Sequence, residues 1–363
     1  MSVDDGLLGA ILPAHRFDET ALAVYLRSRL PGVERGLEVQ QFRGGQSNPT
    51  FLLTAGAGQR YVLRKKPPGK LLPKAHQVER EHRVMAALYG TAVPVPRMHL
   101  LCEETEVIGT PFYVMDFVPG RILADPAAPG LTPAERRQSR MAMVDVLASL
   151  HAVDWRGIGL ADFGRSENYL ARQVARWSQQ YAASRTGAEI PAMDWLTAWL
   201  AENLPVAQQD VAVVHGDYRP GNLVLHTDRP DVVAVLDWEL STLGHPLADL
   251  AYFCLPYHLP TGLPGLRGLR GHDLEELGLP SEEEVLAAYA ERSGRGTIGD
   301  WAFFLAFSLF RLAAILQGVA ARAAQGNASS ADAQEVGGRA GLLAEVGQSI
   351  AQGRNATVVE GVQ

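Results

Sequence analysis

Short apolar-rich segments in the first third of the chain are separated by polar runs. Leu37–Phe42 alternates in part between apolar and polar positions, a period of two that is typical of half-buried strands, and Thr50–Thr54 and Tyr61–Arg64 are short apolar runs of strand length. The runs between them, Arg43–Asn48 and Ala55–Gly58, are rich in glycine and in small polar residues, which favour turns. The pattern predicts a meander of antiparallel strands.

A helical period replaces this alternation further along the chain. His76–Tyr89 has apolar residues on one face and predicts a helix, which the prolines of Val93–Pro96 end. Pro111–Gly120 predicts a short apolar strand that closes on a turn. Three later segments predict long helices: Thr132–His151, Ser281–Arg292 and Trp301–Ala324.

These elements predict a strand-rich first domain, residues 1–118, and a helix-rich second domain, residues 119–363, with a loose tail from about residue 354. With 363 residues, 47% of them hydrophobic and 20% charged, the chain is typical of a folded globular protein. Its net charge of -7 disfavours nucleic-acid binding, which relies on basic side chains. Cys102 and Cys254 form neither a disulfide framework nor a CxxC metal motif.

A cytoplasmic location is expected, because the acidic start Met1–Asp5 lacks the basic and apolar layout of a secretory signal. The most apolar stretch is Trp301–Ala321, which Ser308, Arg311 and Gln317 interrupt. A central arginine is costly in hydrocarbon. The stretch therefore predicts a buried helix and no membrane span.

Three polar residues stand at the ends of apolar segments. Val213–Leu225 contains a polar loop between two apolar runs, and within it Asp217 precedes Asn222 by five residues. A further apolar run ends at Asp237, fifteen residues beyond Asn222. A polar loop with turn-forming aspartates is the plain interpretation. Metal ligands and a general base at strand ends are the chemical one.

The order His215-Gly216-Asp217, then Asn222 after four residues, then Asp237-Trp238-Glu239, resembles the catalytic core of protein kinases. It is more similar to the aminoglycoside phosphotransferase and choline kinase-like family. Within that family it most resembles the branch related to the kinase domain of acyl-CoA dehydrogenase fusion proteins. The resemblance extends over about Val39–Asn327 and implies an α+β, protein-kinase-like fold, with an antiparallel sheet in the N-lobe and a mainly helical C-lobe. The residues that match this branch are Leu63–Gly69, Arg80-Glu81 and Phe310–Ala328.

This resemblance implies ATP and Mg2+ as cofactors. Asp217 would accept the proton of an attacking hydroxyl, and His215 would orient the loop. Asn222 and Asp237 would hold Mg2+, which prefers oxygen ligands.

The resemblance also assigns a nucleotide site to the N-lobe. Backbone N–H groups at Gly44 and Gly45, with the Ser47 hydroxyl, would cover the phosphates, although a plain hairpin is equally consistent with this turn. Backbone groups from Met115 to Phe117 would hydrogen-bond the adenine as an inter-lobe hinge.

A cation on the third strand would contact the phosphates, and both Arg64 and Lys65 fit that position. Its acidic partner on the following helix would be Glu81, with Glu79 as the alternative. Six more basic residues lie nearby, and such a run is either a solvated face or an attraction for ATP or an anionic acceptor: Arg60, Lys66, Lys70, Lys74, Arg80 and Arg83.

Two further residues are expected to have structural roles. Asp249 matches a family aspartate that braces the catalytic loop. Arg311 lies in an apolar helix and needs a partner if it is buried, either a carboxylate of the same lobe or the acceptor.

The expected reaction is transfer of the ATP γ-phosphate to a hydroxyl of a small metabolite, with a hydroxyacyl-CoA as a possible acceptor. One alternative is an antibiotic kinase for aminoglycosides or macrolides. A cationic aminoglycoside requires acidic residues, for which five glutamates are available: Glu275, Glu276, Glu282, Glu283 and Glu284. Another is a non-catalytic nucleotide-binding module. The sequence leaves the oligomeric state open, and no nucleic-acid or membrane partner is expected.

Overall fold

The computed structural model describes residues 8–43, 48–68, 76–185, 189–206, 210–262, 267–324 and 339–354. The chain forms two compact units. Unit 1 comprises Met1–Leu123, Arg156–Leu160 and Gly221–Ser241, and unit 2 comprises Ala124–Trp155, Ala161–Pro220 and Thr242–Gln363. The sequence-based division into residues 1–118 and 119–363 stays a prediction.

Unit 1 contains a six-stranded antiparallel sheet, in the order β1-β2-β3-β4-β6-β5, among its described residues. Its strands are β1 (Leu8–Gly9), β2 (Leu37–Phe42), β3 (Thr50–Ala55), β4 (Arg60–Lys65), β5 (Met98–Cys102) and β6 (Phe112–Asp116). The predicted meander of β2, β3 and β4 and the predicted strand β6 are confirmed.

Helices cover both faces of this sheet. Because side chains alternate along a strand, Phe51 and Leu63 lie on one face, in an apolar core that includes Leu22 and Leu26 of α1 (Glu19–Leu26) and Ile108 of α3 (Thr105–Ile108). The other face packs against α2 (Val78–Leu88), which contacts β5 and β6. The face on which a β4 side chain lies therefore decides whether it meets this core or α2.

Unit 1 also contains a small hairpin of β8 (Leu223–Leu225) and β9 (Val232–Val235). The two backbone bonds between Arg121 and Leu225 attach the segment after β6 to this hairpin. A 3-10 helix, Trp238–Leu240, follows β9 and packs on α2. Trp238 is fully buried there, and its indole N–H donates to the Val235 carbonyl at 2.9 Å.

Unit 2 is mainly helical in its described part. Its helices are α4 (Pro133–His151), α5 (Tyr169–Ala183), α6 (Pro191–Glu202), α7 (Leu247–His258), α8 (Leu274–Leu277), α9 (Glu282–Ser293), α10 (Trp301–Ala324) and α11 (Ala340–Ala351). Thr132 and Ser281 form capping boxes at the starts of α4 and α9, which satisfy N–H groups that a helix leaves unpaired. β7 (Ala212–Val214) and β10 (Thr242–Gly244) pair antiparallel.

Helix α10 is the centre of unit 2, in contact with α5, α6, α7 and α11. By length and composition its segment Trp301–Arg322, with a mean hydropathy of 1.8, could cross a membrane. However, 72% of it is buried within the protein, which is the property of a core helix. The predicted long helices are thus present, and the α+β prediction is confirmed.

Candidate active site

In unit 2 the candidate residues His215, Gly216 and Asp217 lie in a loop that follows β7, and Asp249 of α7 holds this loop. The Asp249 carboxylate accepts the backbone N–H of His215 at Oδ2 (2.5 Å) and that of Gly216 at Oδ1 (2.8 Å). Gly216 has φ = +85°, a left-handed conformation that glycine adopts without steric cost. The loop can therefore turn sharply just before Asp217 while its N–H groups stay paired.

A buried chain of polar groups continues from Asp249 into the helices. His151 Nε2 lies 3.4 Å from Asp249 Oδ2, and His151 Nδ1 lies 2.7 Å from the Tyr289 hydroxyl. Because a carboxylate only accepts, Nε2 carries the proton and Nδ1 accepts from Tyr289. Burial lowers the pKa of His151, so its imidazole is neutral at pH 7.

The Asp217 carboxylate is half-buried beside two polar side chains. Arg219 Nε lies 3.1 Å from Asp217 Oδ2, and the Asp217 N–H donates to His215 Nδ1 at 3.2 Å. Tyr252 of α7 is also near Asp217, and burial, together with the Asp217 charge, raises the pKa of Tyr252. The phenol thus remains protonated beside the carboxylate.

Arg311 of α10 contacts the loop that carries Asp217. Arg311 is buried, donates through Nη2 to the Gly216 carbonyl, and lies 5.6 Å from the Trp177 ring centroid and 5.5 Å from that of Tyr252. Its partner is therefore a backbone carbonyl of the loop after β7, and neither a carboxylate nor the acceptor that the sequence analysis expected. Arg311, Arg172 and Arg176 all act electrostatically on the buried Tyr169.

In unit 1, Arg64 joins β4 to α2 and to the segment after β9. Its Nε lies 2.9 Å from Glu81 Oε2, and its Nη2 donates to Asp237 Oδ1 at 2.7 Å. Glu239 lies 3.8 Å from the same Nη2. Burial opposes protonation of Arg64, but Glu81 and the other acids nearby raise its pKa above the ordinary value, so the guanidinium stays charged.

Glu81 is held by two further donors. Its Oε1 accepts from Asn48 Nδ2 at 2.6 Å and its Oε2 from the Tyr113 hydroxyl at 3.0 Å. Burial raises the pKa of Glu81 to about 7 despite the opposing effect of Arg64. Asn48 in turn contacts His76 Nδ1 at 3.1 Å, so residues from three segments fix the position of this carboxylate.

The two cations left open by the sequence lie on opposite faces of the sheet. Arg64 is on the face that packs against α2, whereas Lys65 is buried with its Nζ 5.8 Å from the Phe17 ring centroid and 6.0 Å from that of Phe51. Glu79, the alternative acid, pairs with Lys66. The structure thus brings Arg64 together with Glu81 and Asp237.

Asp237 and Asn222 are the residues that suit a magnesium ion. Both offer oxygen donors, which Mg2+ prefers, and protein Mg2+ sites often use only one or two side chains besides phosphate and water. Asp237 is in a left-handed conformation (φ = 66°, ψ = 61°), which is uncommon outside glycine and occurs at functional positions. Leu236 N donates to the Asn222 carbonyl at 2.9 Å, which ties the two segments together. Among the described residues no cluster of three or more acidic, histidine or cysteine side chains suits a metal.

The remaining predicted nucleotide-site residues differ in how far the structure describes them. Met115 is buried near the end of β6 and pairs with Val62 and Met98. The N–H of Phe117 donates to the Arg60 carbonyl at 3.4 Å, and the Arg60 guanidinium lies over the Phe117 ring. Gly44, Gly45 and Ser47 lie outside the described residues, as do Lys70 and Lys74 of the basic run.

The sequence analysis did not identify several residues that contact Glu81 in unit 1 or surround the loop after β7 in unit 2: Asn48, Tyr113, His151, Trp177 and Tyr252. Each is an ordinary polar or aromatic residue whose position becomes meaningful only through a partner far away in the chain. Tyr252 carried the one available signal, because it follows Asp249 by three residues and such residues lie close together on a helix.

The comparisons with known proteins agree on one family. The family model described as the phosphotransferase enzyme family (APH) matches residues 38–306. A crystal structure from Ralstonia eutropha, of a protein provisionally assigned as an aminoglycoside phosphotransferase, is 48% identical with a TM-score of 0.85, covering 93% of this chain and 99% of that one. Choline kinase from Cryptosporidium parvum has 14% identity and a TM-score of 0.63, covering 93% and 97%, and shows the fold alone.

Curated relatives include acyl-CoA dehydrogenase family member 11 of human, 45% identical over 97% of this chain and 45% of that protein. Family member 10 of mouse is 48% identical over 90% of this chain and 30% of that protein. The chain therefore spans less than half the length of these relatives. The chain belongs to the APH phosphotransferase family and has the kinase-like fold, and the predicted resemblance is confirmed.

Proposed function

We propose that this protein is an ATP- and Mg2+-dependent kinase that transfers the γ-phosphate to a hydroxyl group of a small metabolite. The observation that carries the proposal is the pairing of Arg64 with Glu81 and Asp237 in unit 1. A strand cation paired with a glutamate of the following helix is the arrangement that contacts the ATP phosphates in protein kinases, and a buried ion pair contributes little net stability.

The remaining roles are proposed from the chemistry of each side chain. Asp217 accepts the proton of the attacking hydroxyl and orients that oxygen. Asn222 and Asp237 hold Mg2+, which when bound offsets the negative charge of the phosphates. Arg64 binds phosphate oxygens, and Glu81 keeps its guanidinium in place. Two relatives of the same fold support nucleotide use, since one was solved with ADP and hygromycin B and another with GDP. ATP is the proposed donor, and GTP is the alternative.

The proposed acceptor is a hydroxyacyl-CoA. The acyl-CoA dehydrogenase family relatives support a substrate of this kind. The charge next to the proposed base also supports an anionic acceptor, because Arg219 is about half exposed and its Nε lies 3.1 Å from Asp217 Oδ2. Cationic side chains attract an anionic ligand and concentrate it near the site.

An aminoglycoside acceptor is less well supported. It would need exposed acidic side chains, and two of the five candidate glutamates are engaged within the fold: Glu284 caps α9 and pairs with Arg137, and Glu282 contacts His258 and Trp301. A non-catalytic nucleotide-binding module is the other alternative, and the presence of Asp217, Asn222 and Asp237 weighs against it.

The experiment that tests this function is ADP release from Mg-ATP with a panel of acceptors: hydroxyacyl-CoA esters, aminoglycosides, macrolides, choline and sugars. We expect hydroxyacyl-CoA esters to stimulate release and EDTA to abolish it. Stimulation by an aminoglycoside alone would show that the acceptor is an aminoglycoside and not a hydroxyacyl-CoA. Stimulation that EDTA leaves unchanged would contradict the magnesium site.

Arg64 and Lys65 provide a matched pair of variants. Changing Arg64 to Met should weaken Mg-ATP binding by about 10- to 100-fold, because a charged hydrogen bond contributes about 1.5–3 kcal/mol. Changing Lys65 to Met should leave Mg-ATP binding within about twofold, because the Lys65 side chain is buried among aromatic rings on the opposite face. Isothermal titration calorimetry measures both constants. A larger loss for the Lys65 variant would reverse the assignment.

A further inference from the structure

The backbone of Gly216 is held at both of its polar groups. Its N–H donates to Asp249 Oδ1, and its carbonyl accepts from Arg311 Nη2. The carbonyl belongs to the peptide group that leads directly into Asp217. Since rotation of that peptide group would redirect the Asp217 side chain, the Arg311 contact acts on the geometry of the proposed base.

Arg311 reaches the same carboxylate by a second route. Its guanidinium carbon is 5.5 Å from the centroid of the Tyr252 ring, and the Tyr252 hydroxyl lies near enough to Asp217 for that carboxylate to raise its pKa. Cations are attracted to aromatic faces, so Arg311 holds the ring as well as the loop. The Trp177 ring, whose centroid lies 5.6 Å from the same carbon, further limits the positions that the guanidinium can adopt.

Burial of the charged Arg311 side chain in an apolar helix costs free energy, which its contacts with the loop must offset. Ala313 and Ala314, its near neighbours on α10, are fully buried, and Arg311 itself is 8% exposed. A buried cation needs hydrogen bonds to offset its loss of water. In the described part of the chain, the hydrogen bond of Arg311 goes to a loop carbonyl and not to a carboxylate. An apolar residue at this position would therefore cost less free energy to bury.

We propose that Arg311 is a positioning residue that fixes the direction of Asp217 through the Gly216 carbonyl and the Tyr252 ring. The catalytic significance of this contact depends on the proposed function, but the loop geometry itself does not. Loss of Arg311 should free the loop and lower kcat, with little effect on the binding of Mg-ATP.

Arg140 provides a matched control. It is also a buried arginine of unit 2, it donates to one backbone carbonyl, that of Pro126 at 2.7 Å, and it lies 5.1 Å from an aromatic ring centroid, that of Phe253. R140M and R311M therefore remove the same kinds of interaction, a hydrogen bond to one backbone carbonyl and cation contacts with aromatic rings (one ring for Arg140, two for Arg311), and only R311M removes a contact to the catalytic loop.

The first readout is amide hydrogen exchange, by mass spectrometry, of peptides covering Val213–Leu223 in the full chain. We expect R311M to raise exchange of this loop by about tenfold or more, as local opening does, and R140M to leave it unchanged. R311K should give an intermediate rate, because lysine keeps one donor but not the planar contact. If R311M does not fold, R311K with its melting temperature preserved carries the test. Equal loop exchange in all variants and in the unmodified protein would overturn the proposal.

The second readout is the steady-state rate of ADP release with the best acceptor of the panel or, if none stimulates, with water. R311M should lower kcat while KM for ATP stays within about twofold, and R311K should recover part of the loss. A purely structural arginine would instead lower activity only in proportion to the folded fraction, as R140M should. Faster loop exchange in a protein without kinase activity would uphold the positioning role and refute the proposed function.

Discussion

The D217N variant is expected to turn over about 10²- to 10⁴-fold more slowly than the unmodified protein, the usual contribution of a general base. Asparagine has nearly the same size and can still accept a hydrogen bond from Arg219, but it cannot take a proton. Mg-ATP binding should persist, because the cation proposed to bind the phosphates, Arg64, pairs with Glu81 and Asp237 in the other unit. Initial rates of ADP release and calorimetric titration measure the two effects.

D228N is the matched control for this variant. Asp228 is an exposed carboxylate in the turn between β8 and β9, so its conversion to asparagine should leave kcat within about twofold. If D217N kept more than about a tenth of the original kcat, Asp217 would not be a base that takes a proton in the transition state.

The D249A variant should lose both stability and activity. The change leaves the N–H groups of His215 and Gly216 without their acceptor. Each buried donor left unsatisfied costs about 1–3 kcal/mol, so the free energy of unfolding should fall by about 2–6 kcal/mol. Because those N–H groups fix the loop that carries Asp217, kcat should fall even where the protein is fully folded. Urea unfolding and steady-state rates measure the two quantities.

The pH dependence of this effect has a defined sign. Burial alone would raise the pKa of Asp249, but the hydrogen bonds from His151 and from the Gly216 N–H hold it below the usual value. A carboxylate with a lowered pKa in the folded state stabilises the protein above its unfolded pKa, and that stabilisation is lost as the pH falls through the folded pKa. The difference in free energy of unfolding between D249A and the unmodified protein should therefore be at its maximum at pH 7 and decrease only below about pH 4. A difference that vanished between pH 5 and 7 would contradict an ionised Asp249.

Local sequence patterns predicted four of the six described strands of the first sheet, β2, β3, β4 and β6, and the long helices, because each is an apolar run or period bounded by turn or capping residues. They did not predict β1 and β5. Strand alternation also limits which of Arg64 and Lys65 can pair with the acid on α2. Adjacent residues of β4 must lie on opposite faces, so only one of them could face α2, and Arg64 shares its face with Val62 and pairs with Tyr113. The sequence did not show which face of the sheet α2 would cover, because that depends on packing between segments.

The hydrogen-bond partners of the catalytic loop could not be predicted in this way. Arg311 lies 95 residues beyond Gly216, and Asp249 lies 33 beyond it. Such pairs form only when the helices of unit 2 pack, and one sequence gives no signal for which long-range pairs will meet. The family resemblance supplied Asp249, but it gave no partner for Arg311 and no role for His151, Tyr252 or Trp177.

The most direct test of the central claim follows label from ATP carrying a labelled γ-phosphate into the acceptor, with the unmodified protein and D217N compared side by side. We predict that the unmodified protein transfers the label to the hydroxyl oxygen of a hydroxyacyl-CoA in the presence of Mg2+, and that D217N does not. Absence of label in every acceptor of the panel, together with no binding of Mg-ATP, would contradict the assignment of this protein as a phosphotransferase that uses Asp217.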